Sequence, residues 1–435
     1  MLPTNLNYRG KIESAPSTSY TTCIQPQSGT GNYTVGNTII FNIPTANNTV
    51  LSTTESYLKF KLAITNGSTA NAWRWDSTAH GIIDRIRIFS GSNILQDISS
   101  YNLLAKMLFA LQIPDDASQN KFNVLAGSRT GYSQWLTGNG TALTASEVNN
   151  TYYCLNLISL VGSLCANSYL PLFAMTSAPL RVEITLVSNA VNAYCDVIGN
   201  TTFQVSDCEY VANFIKLSDS AMDMIYSSLG GQPLQVCVPD YSNYSSNINL
   251  TNNANTQISF PIPAKFSSLR AIIVGVRTTT GVLAQFPLSC TAQGLCTSSS
   301  NSYFFRVGSQ ILPSKAVDNQ PMAFAEVLKS LGSMSDILYT PNISTGSYTL
   351  NTDTAMTTGT VSTSHSGSAF FGIDLEAFPN ANKSSIFSGY NSNVDDIYFV
   401  GTFKTPNSTG SFRIDGFALY DSVLVFENNT CYRKF

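Results

Sequence analysis

Phe41-Asn42-Ile43-Pro44 recurs as Phe260-Pro261-Ile262-Pro263, 219 residues later in a chain of 435. Gly91-Ser92-Asn93-Ile94-Leu95 returns as Gly308-Ser309-Gln310-Ile311-Leu312 at an offset of 217, and Ala105-Lys106-Met107-Leu108 as Ala325-Glu326-Val327-Leu328 at 220. Any one match of four or five residues carries little weight. Three of them, collinear and at nearly one offset close to half the length, indicate two copies of one fold in tandem. The length agrees, because a chain of this size exceeds one ordinary core and fits two domains of roughly 200 residues.

Outward from these matches, period-two alternation dominates. Leu58, Phe60, Leu62 and Ile64 face one way while Lys59, Lys61 and Ala63 face the other. Leu180, Val182, Ile184 and Leu186 alternate with Arg181, Glu183 and Thr185, and Ile258, Phe260 and Ile262 with Ser259 and Pro261. Ile397, Phe399, Gly401 and Phe403 share a further face. Strands with one apolar and one mixed face pack as paired sheets around a core. Helical signals are few. Ser99 or Ser100 caps an expected short helix through Leu103, Leu104, Met107, Leu108 and Leu111 that ends near Pro114. Its counterpart runs from Pro321 to Leu331 and closes at Gly332. Both helices follow the Gly-Ser-Asn/Gln-Ile-Leu strand directly, which strengthens the duplication. The expected fold is all-β: two tandem eight-stranded jelly-roll sandwiches, each with a short loop helix. The expected division is an N-terminal arm at 1–29, jelly roll 1 at 30–217, a linker at 218–236 broken by Gly230-Gly231 and Pro233, jelly roll 2 at 237–427, and a C-terminal tail at 428–435. Polar stretches at 65–80, 129–151, 240–257, 291–302 and 340–368 read as surface loops.

Hydrophobic residues make up 43% and charged residues only 11%, against about 25% charged in an average soluble protein. Ser, Thr and Asn fill the polar positions instead. Low charge suits flanks that lie against copies of the same molecule, since a desolvated unpaired charge is costly. The net charge is −3 and the 23 Lys and Arg are scattered, so direct nucleic-acid or anionic-lipid binding is not expected. Nine cysteines without a CxxC pair argue against a disulfide framework or a zinc ribbon, and most read as buried hydrophobes in a reducing compartment. Cys290 and Cys296 are near enough in sequence to bridge across a loop. Met1–Ser14 has no apolar segment and is not read as a secretory signal. Leu155–Met175 is interrupted by Asn156, Ser163, Asn167 and Pro171, so it is read as two strands around a turn, not a membrane span. Sequons such as Asn32, Asn66, Asn200 and Asn407 follow from a composition rich in Asn, Ser and Thr, and glycosylation is not inferred from them.

Chemistry-bearing residues are sparse. The two histidines, His80 and His365, sit in polar loops and read as solvated, offering little for a metal or a Ser-His relay. Gly31 to Thr38 has phosphate-loop spacing, but Asn37 stands where Lys is needed and a strand follows instead of a helix. Asp115-Asp116, Asp395-Asp396, and Asp374 with Glu376 are paired carboxylates. The last two share a strand face, as a glycosidase would require, but read as solvated acids. Calcium at a loop is a weak alternative. Trp73, Trp75 and Trp135 lie in loops, either packed on their own domain or holding a ligand. No catalytic, cofactor-binding or metal-ligating residue is expected, and no cofactor.

Four segments carry a resemblance. Gly36 to Ile64 joins an F-x-I-P strand to Ser56-Tyr57-Leu58-Lys59-Phe60. Ile82 to Leu111 is a strand of alternating Ile and Arg followed by Gly91-Ser92 and a helix. Tyr169-Leu170-Pro171-Leu172-Phe173-Ala174-Met175 runs into the Leu180–Leu186 strand, and Ser388-Gly389-Tyr390-Asn391 precedes the Ile397–Phe403 strand. Together they resemble the double jelly-roll major capsid proteins of tailless bacterial viruses, adenovirus-like viruses, virophages and nucleocytoplasmic large DNA viruses. The resemblance implies a non-enzymatic homotrimer of six jelly rolls, a pseudo-hexagonal capsomer that tiles an icosahedral shell in the virion. The implied partners are the chain itself, penton and minor capsid proteins, and an inner membrane or membrane protein. Loops 65–80, 129–151, 291–302 and 340–368 are the expected outer towers, and Met1–Gly29 and Asn428–Phe435 the expected inward or lateral arms. The alternative reading is a two-domain β-sandwich adhesin or carbohydrate-binding attachment protein that uses aromatic loop tips. It calls for a monomer with an exposed ligand groove.

Overall fold

The computed structural model describes residues 17–29, 31–65, 73–127, 151–189, 194–196, 202–250, 254–278, 288–296, 300–332, 334, 341–349, 367–377, 388–404 and 410–435. Trp135, His365, residues 1–16 of the expected arm and most of the 129–151 and 340–368 loops lie outside these residues.

In the first half, the principal strands are β1 (Ser17–Ile24), β2 (Thr38–Ile43), β3 (Thr49–Thr65), β4 (Ile83–Ser90), β5 (Asn93–Ser99), β6 (Thr151–Leu155), β7 (Leu180–Leu186) and β8 (Thr202–Leu217), with short strands at Tyr33–Thr34, Trp73–Trp75 and Tyr194–Asp196 besides. In the second they are β9 (Leu234–Leu250), β10 (Asn255–Ile262), β11 (Leu269–Thr278), β12 (Tyr303–Val307), β13 (Gln310–Val317), β14 (Phe370–Asp374), β15 (Ile397–Lys404) and β16 (Gly410–Glu427). Jelly roll 1 has sheets ordered β1-β8-β3-β6 and β2-β7-β4-β5, and jelly roll 2 has β9-β16-β11-β14 and β10-β15-β12-β13. All these neighbours are antiparallel. Adding eight to each label of the first half reproduces the second. The chain is a double jelly roll.

The repeated sequence matches mark equivalent places. In the β4–β5 hairpin Ser90 pairs with Asn93, and in the β12–β13 hairpin Val307 pairs with Gln310, so both loops are two residues, Gly-Ser. Gly91 and Gly308 both take φ +58°, the left-handed geometry that tight hairpin turns require and that glycine adopts without a Cβ clash. The F-x-I-P strands are β2 and β10, each paired along its length with the strand before the last of its jelly roll.

Helix α1 (Tyr101–Gln112) and its counterpart α3 (Gln320–Ser330) follow β5 and β13. Pro114 ends α1 by forcing Ile113 into extended backbone, φ −100° and ψ 125°. Asn319 caps α3, its side chain accepting from the Met322 amide at 2.9 Å. Ser100 does sit at the α1 cap, but in left-handed geometry and without a side-chain cap bond. Its hydroxyl is diverted to Arg413 in the other half, 3.0 Å away.

Several expectations change. Residues 218–236 hold a helix, α2 (Asp219–Leu229), capped by Ser218 and stopped by Gly230 at φ +55°. Met222, Ile225 and Leu229 give it an apolar stripe at helical spacing, buried at Met222 against Val50 and Phe173. Leu155–Met175 is not two strands. After β6 it folds through 3-10 turns at Ser163–Cys165 and Leu172–Met175, with Leu170 bridged to Leu51. Residues of the expected surface loops are buried, Trp75 and Ala79 in 65–80 and Thr291, Ala292 and Gln293 in 291–302, and the expected loop 240–257 is instead largely strand, its residues to Leu250 lying in β9 and those from Asn255 in β10. At the chain ends, β1 is paired with β8, and β17 (Thr430–Lys434) forms a hairpin with β16.

Alternation is borne out inside both sandwiches. Leu58, Phe60, Leu62, Val182 and Ile184 are 2% exposed or less, each worth about 1.5–3 kcal/mol of burial. The smaller core cluster is the interior of jelly roll 2, with Phe260, Ile272, Tyr303, Phe399 and Ile414. The larger one fills jelly roll 1 and continues beyond it. It runs through α1 into the outer face of the β9-β16-β11-β14 sheet, taking in Val238, Tyr241, Ile273, Phe417 and Leu419. The matching outer face of jelly roll 1 instead carries Lys59, Lys61, Tyr152 and Glu209.

Candidate functional site

The polar side chains that the fold gathers lie between its halves. Asp76, just after the Trp73–Trp75 strand, and Lys106, on α1, are 0% and 3% exposed at the side chain and 3.4 Å apart. They clasp the backbone of jelly roll 2. The Leu288 amide donates to Asp76 Oδ2 at 2.7 Å, and Lys106 Nζ donates to the Leu288 carbonyl at 2.6 Å. Burying two charges is costly unless both are paired and hydrogen-bonded, and here they are. Asp415, fully buried, takes Arg277 Nε at 2.8 Å and Arg413 Nε at 3.0 Å. Asp84, from β4, faces those arginines, and burial raises its carboxyl above the usual range against their pull. At the opposite margin Gln96 of β5 donates to Asp240 Oδ1 at 2.7 Å. Asp240 also binds Arg433 and the Tyr420 hydroxyl, and burial raises its carboxyl too. Hydrogen bonds cross the boundary at several points, from Asp76 and Lys106 to Leu288, from Gln96 to Asp240 and from Arg413 to Ser100, and tie the two jelly rolls together.

A groove of about 1150 Å³ opens beside this boundary. Leu108, Phe109, Phe122, Tyr241 and Leu419 supply apolar walls, and Arg270, Glu376 and Asp421 a charged side. Arg270 is tied to Glu376 and lies 3.8 Å from Asp421, whose carboxyl also accepts from Ser268 at 2.8 Å. Burial pushes the Asp421 carboxyl up, while Ser268 and Arg270 pull it down.

The residues singled out in the sequence fall as follows. His80 is not solvated. It is 2% exposed, on a 3-10 turn at Ala79–Ile82, with Nδ1 2.9 Å from the Tyr101 hydroxyl and its ring against Phe109. Burial lowers its pKa to about 3. Trp75 is packed edge-on to Tyr153, which favours domain packing over a loop-tip ligand for this residue. Asp374 and Glu376 do share one place, with Asp374 Oδ1 accepting the Glu376 amide at 2.9 Å, but Glu376 is engaged by Arg270 and neither is a freely solvated acid. Asp115 and Asp116 are exposed in the first turn of a short helix. Asp395 binds Tyr390, and Asp396 binds Lys265. Gly31–Thr38 is a turn into β2, with Gly36 at φ +75° and its amide bonded to the Val187 carbonyl. Cys290 and Cys296 are both free, so the bridge considered between them is not formed. Among the described residues no group of three His, Cys, Asp or Glu could hold a metal ion, and no helix is long and apolar enough to cross a membrane.

Sequence reasoning missed Asp76, Lys106, Asp240, Arg277, Arg413 and Asp415. One signal was present: Lys106 stands in the middle of a helix whose residues 103–105 and 107–111 are all apolar, which marks an element buried on most of its sides.

No protein-family profile matches the chain, and no curated protein matches it by sequence. Solved structures do. PBCV-1 VP54, fitted into a reconstruction of the virophage Sputnik, is similar at 12% identity and a TM-score of 0.62, over 98% of this chain and 99% of that one. The mavirus major capsid protein is similar at 12% identity and a TM-score of 0.57, over 100% of this chain and 95% of that one. The Faustovirus major capsid protein gives 12% identity and a TM-score of 0.56, over 98% and 93%. At such identities the likeness establishes the shared fold, spanning both jelly rolls.

Proposed function

We propose that the chain is a major capsid protein that self-assembles as a homotrimer, six jelly rolls forming a pseudo-hexagonal capsomer of an icosahedral virus shell. The observation that carries this reading is the identity of strand order in the two halves, which are joined by buried hydrogen bonds between Asp76 and Lys106 of the first and the Leu288 backbone of the second. Two like modules per chain give a threefold assembly six nearly equivalent sides, so that neighbouring capsomers pack in a plane. Similarity to major capsid proteins along almost the whole chain supports it. The protein acts through association, not catalysis, and the acids at the groove serve as partners of Arg270. Its further partners are penton and minor capsid proteins, with an inner membrane beneath as the remaining candidate, and its location is the virion. Light scattering of the purified protein tests the proposal. A stable trimer that forms hexagonal arrays in electron micrographs is expected, and a well-behaved monomer at micromolar concentration refutes it.

A further inference from the structure

The sheets β2-β7-β4-β5 and β10-β15-β12-β13 are equivalents, and their outer faces match residue by residue at an offset of 217. In the first sheet Arg181, Phe89 and Ile94 lie side by side across β7, β4 and β5. In the second, Tyr398, Arg306 and Ile311 lie side by side across β15, β12 and β13. Each row stacks a guanidinium on an aromatic ring, Arg181 over Phe89 at 4.4 Å and Arg306 over Tyr398 at 4.5 Å. The strands that supply the two partners are exchanged between the halves. Each row ends in an exposed isoleucine, Ile94 at 50% and Ile311 at 49%. These side chains lie outside the sandwich, so core packing does not account for their repetition.

The next row separates the halves. In the first it pairs Glu183 with Arg87, and the Glu183 carboxylate sits between two guanidiniums, 2.7 Å from Arg87 and 3.1 Å from Arg181. In the second, Val400 and Phe304 stand in those places. Over its four strands the first sheet sets Asp84, Asp97 and Glu183 against Arg85, Arg87 and Arg181. The four strands of the second carry Arg306, Lys315 and Lys404 and no acid. Asp318, just beyond β13, meets Lys315 at 3.4 Å. Among the described residues no acid is paired with Arg306. Stacking engages the face of a guanidinium and leaves its edge of N–H donors to bind an oxygen.

We propose that this outer face of jelly roll 2 binds an acidic peptide segment of another protein, which places on Arg306 the carboxylate that Glu183 provides internally in jelly roll 1. Val400, Phe304 and Ile311 give apolar contact to the side chains beside that carboxylate. Arginine and tyrosine within an apolar surround are the composition of interface hot spots, and a carboxylate on a guanidinium adds a directional, two-pronged bond. The equivalent face of a second copy is a poor occupant, because its acids Glu183 and Asp97 are already engaged by its own arginines. The site is complete within one chain, so the proposal goes beyond the capsomer reading and does not depend on it.

The test titrates a fluorescein-labelled peptide, Glu-Leu-Glu-Tyr-Glu-Leu-amide, into the full chain and follows fluorescence anisotropy. One peptide is expected to bind per chain. Binding should weaken about tenfold or more when Gln replaces every Glu of the peptide, and equally when the protein carries Arg306→Ala. Val400→Glu installs beside Arg306 the acid of the first half and should weaken binding by a similar factor. Glu183→Val should do the reverse and add a second bound peptide, because it releases Arg87 and Arg181. Variants are compared where their thermal melting matches wild type, and Arg306→Ala, at an exposed position, serves alone if the other two do not fold. The proposal is overturned if wild type binds no peptide, if Arg306→Ala or a folded Val400→Glu binds like wild type, or if a folded Glu183→Val still binds one. Dextran sulfate bound as tightly as the peptide would make the face a general polyanion site, and a changed oligomeric state of Arg306→Ala without peptide would assign it to a second copy. Either result overturns the proposal as well.

Discussion

Acidification should destabilise this protein through His80 before it titrates most carboxylates. The imidazole is buried, with its pKa lowered to about 3, whereas in the unfolded chain it is about 6.5. The unfolded state therefore binds the extra proton first. His80 contributes no penalty above pH 6.5, and stability falls as pH drops below that value until the folded pKa is reached. Between pH 7.5 and 5.0 the pKa difference removes about 2 kcal/mol, from 1.36 kcal/mol for each pH unit below 6.5. The carboxyls of Asp84, Asp240 and Asp421, raised by burial, act in the opposite sense, so the wild-type slope alone mixes several groups. The comparison that isolates His80 is with His80→Leu. The variant should be less stable at pH 7.5, since the Tyr101 hydroxyl loses its imidazole partner at a cost of about 1–3 kcal/mol. Its stability should fall by about 2 kcal/mol less than wild type on going to pH 5.0. Urea titrations followed by tryptophan fluorescence at both pH values give the four free energies required. Equal pH dependence in the two proteins would refute the buried neutral imidazole.

Three further outcomes are expected. Lys106→Met should lower stability by about 3–5 kcal/mol in urea titrations, because it strips the buried cation from Asp76. Adding Asp76→Asn should recover part of that loss, and a double variant as unstable as the sum of the singles would contradict the coupling. Gly294→Ala should be far more damaging than Gly36→Ala by thermal melting, although both glycines have positive φ, at +76° and +75°. A Cβ at Gly294 would stand 2.2 Å from the Lys404 carbonyl oxygen, while none lies within 4 Å at Gly36, so Gly36→Ala should cost only the left-handed backbone, about 1–2 kcal/mol. Among the described cysteines, Cys23 and Cys237 are exposed and should react with a thiol reagent in the dilute folded protein. Cys208, Cys290 and Cys431, buried and pushed up to about 12, should react only on unfolding.

Much of the fold was legible because jelly-roll strands obey a local rule. Alternation at Leu58–Leu62 and Leu180–Leu186 assigns faces without knowledge of partners, and the paired Gly-Ser turns fix two hairpins and the internal offset. What local rules could not convey is burial decided by distant chain. His80 sits among Asp76, Ser77 and Thr78 and reads as a wet loop, yet Trp75 beside it is drawn against Tyr153 and the segment goes inside with it. Asp76 and Lys106 meet the backbone of Leu288 across 212 and 182 residues, a separation at which no spacing pattern exists. Helix α2 escaped notice because Gly230-Gly231 and Pro233 suggested a break, and they do mark one, but only after a helix that Ser218 starts.

The unequal outer faces of the two principal sheets give the halves different needs when separated. Ile273, Phe417 and Leu419 form a dry surface that only a neighbouring module can cover, while the same side of the first half has Lys59, Lys61 and Glu209. Produced alone, the second half would leave that surface wet and should self-associate or precipitate, whereas the first half would present charge on the same side.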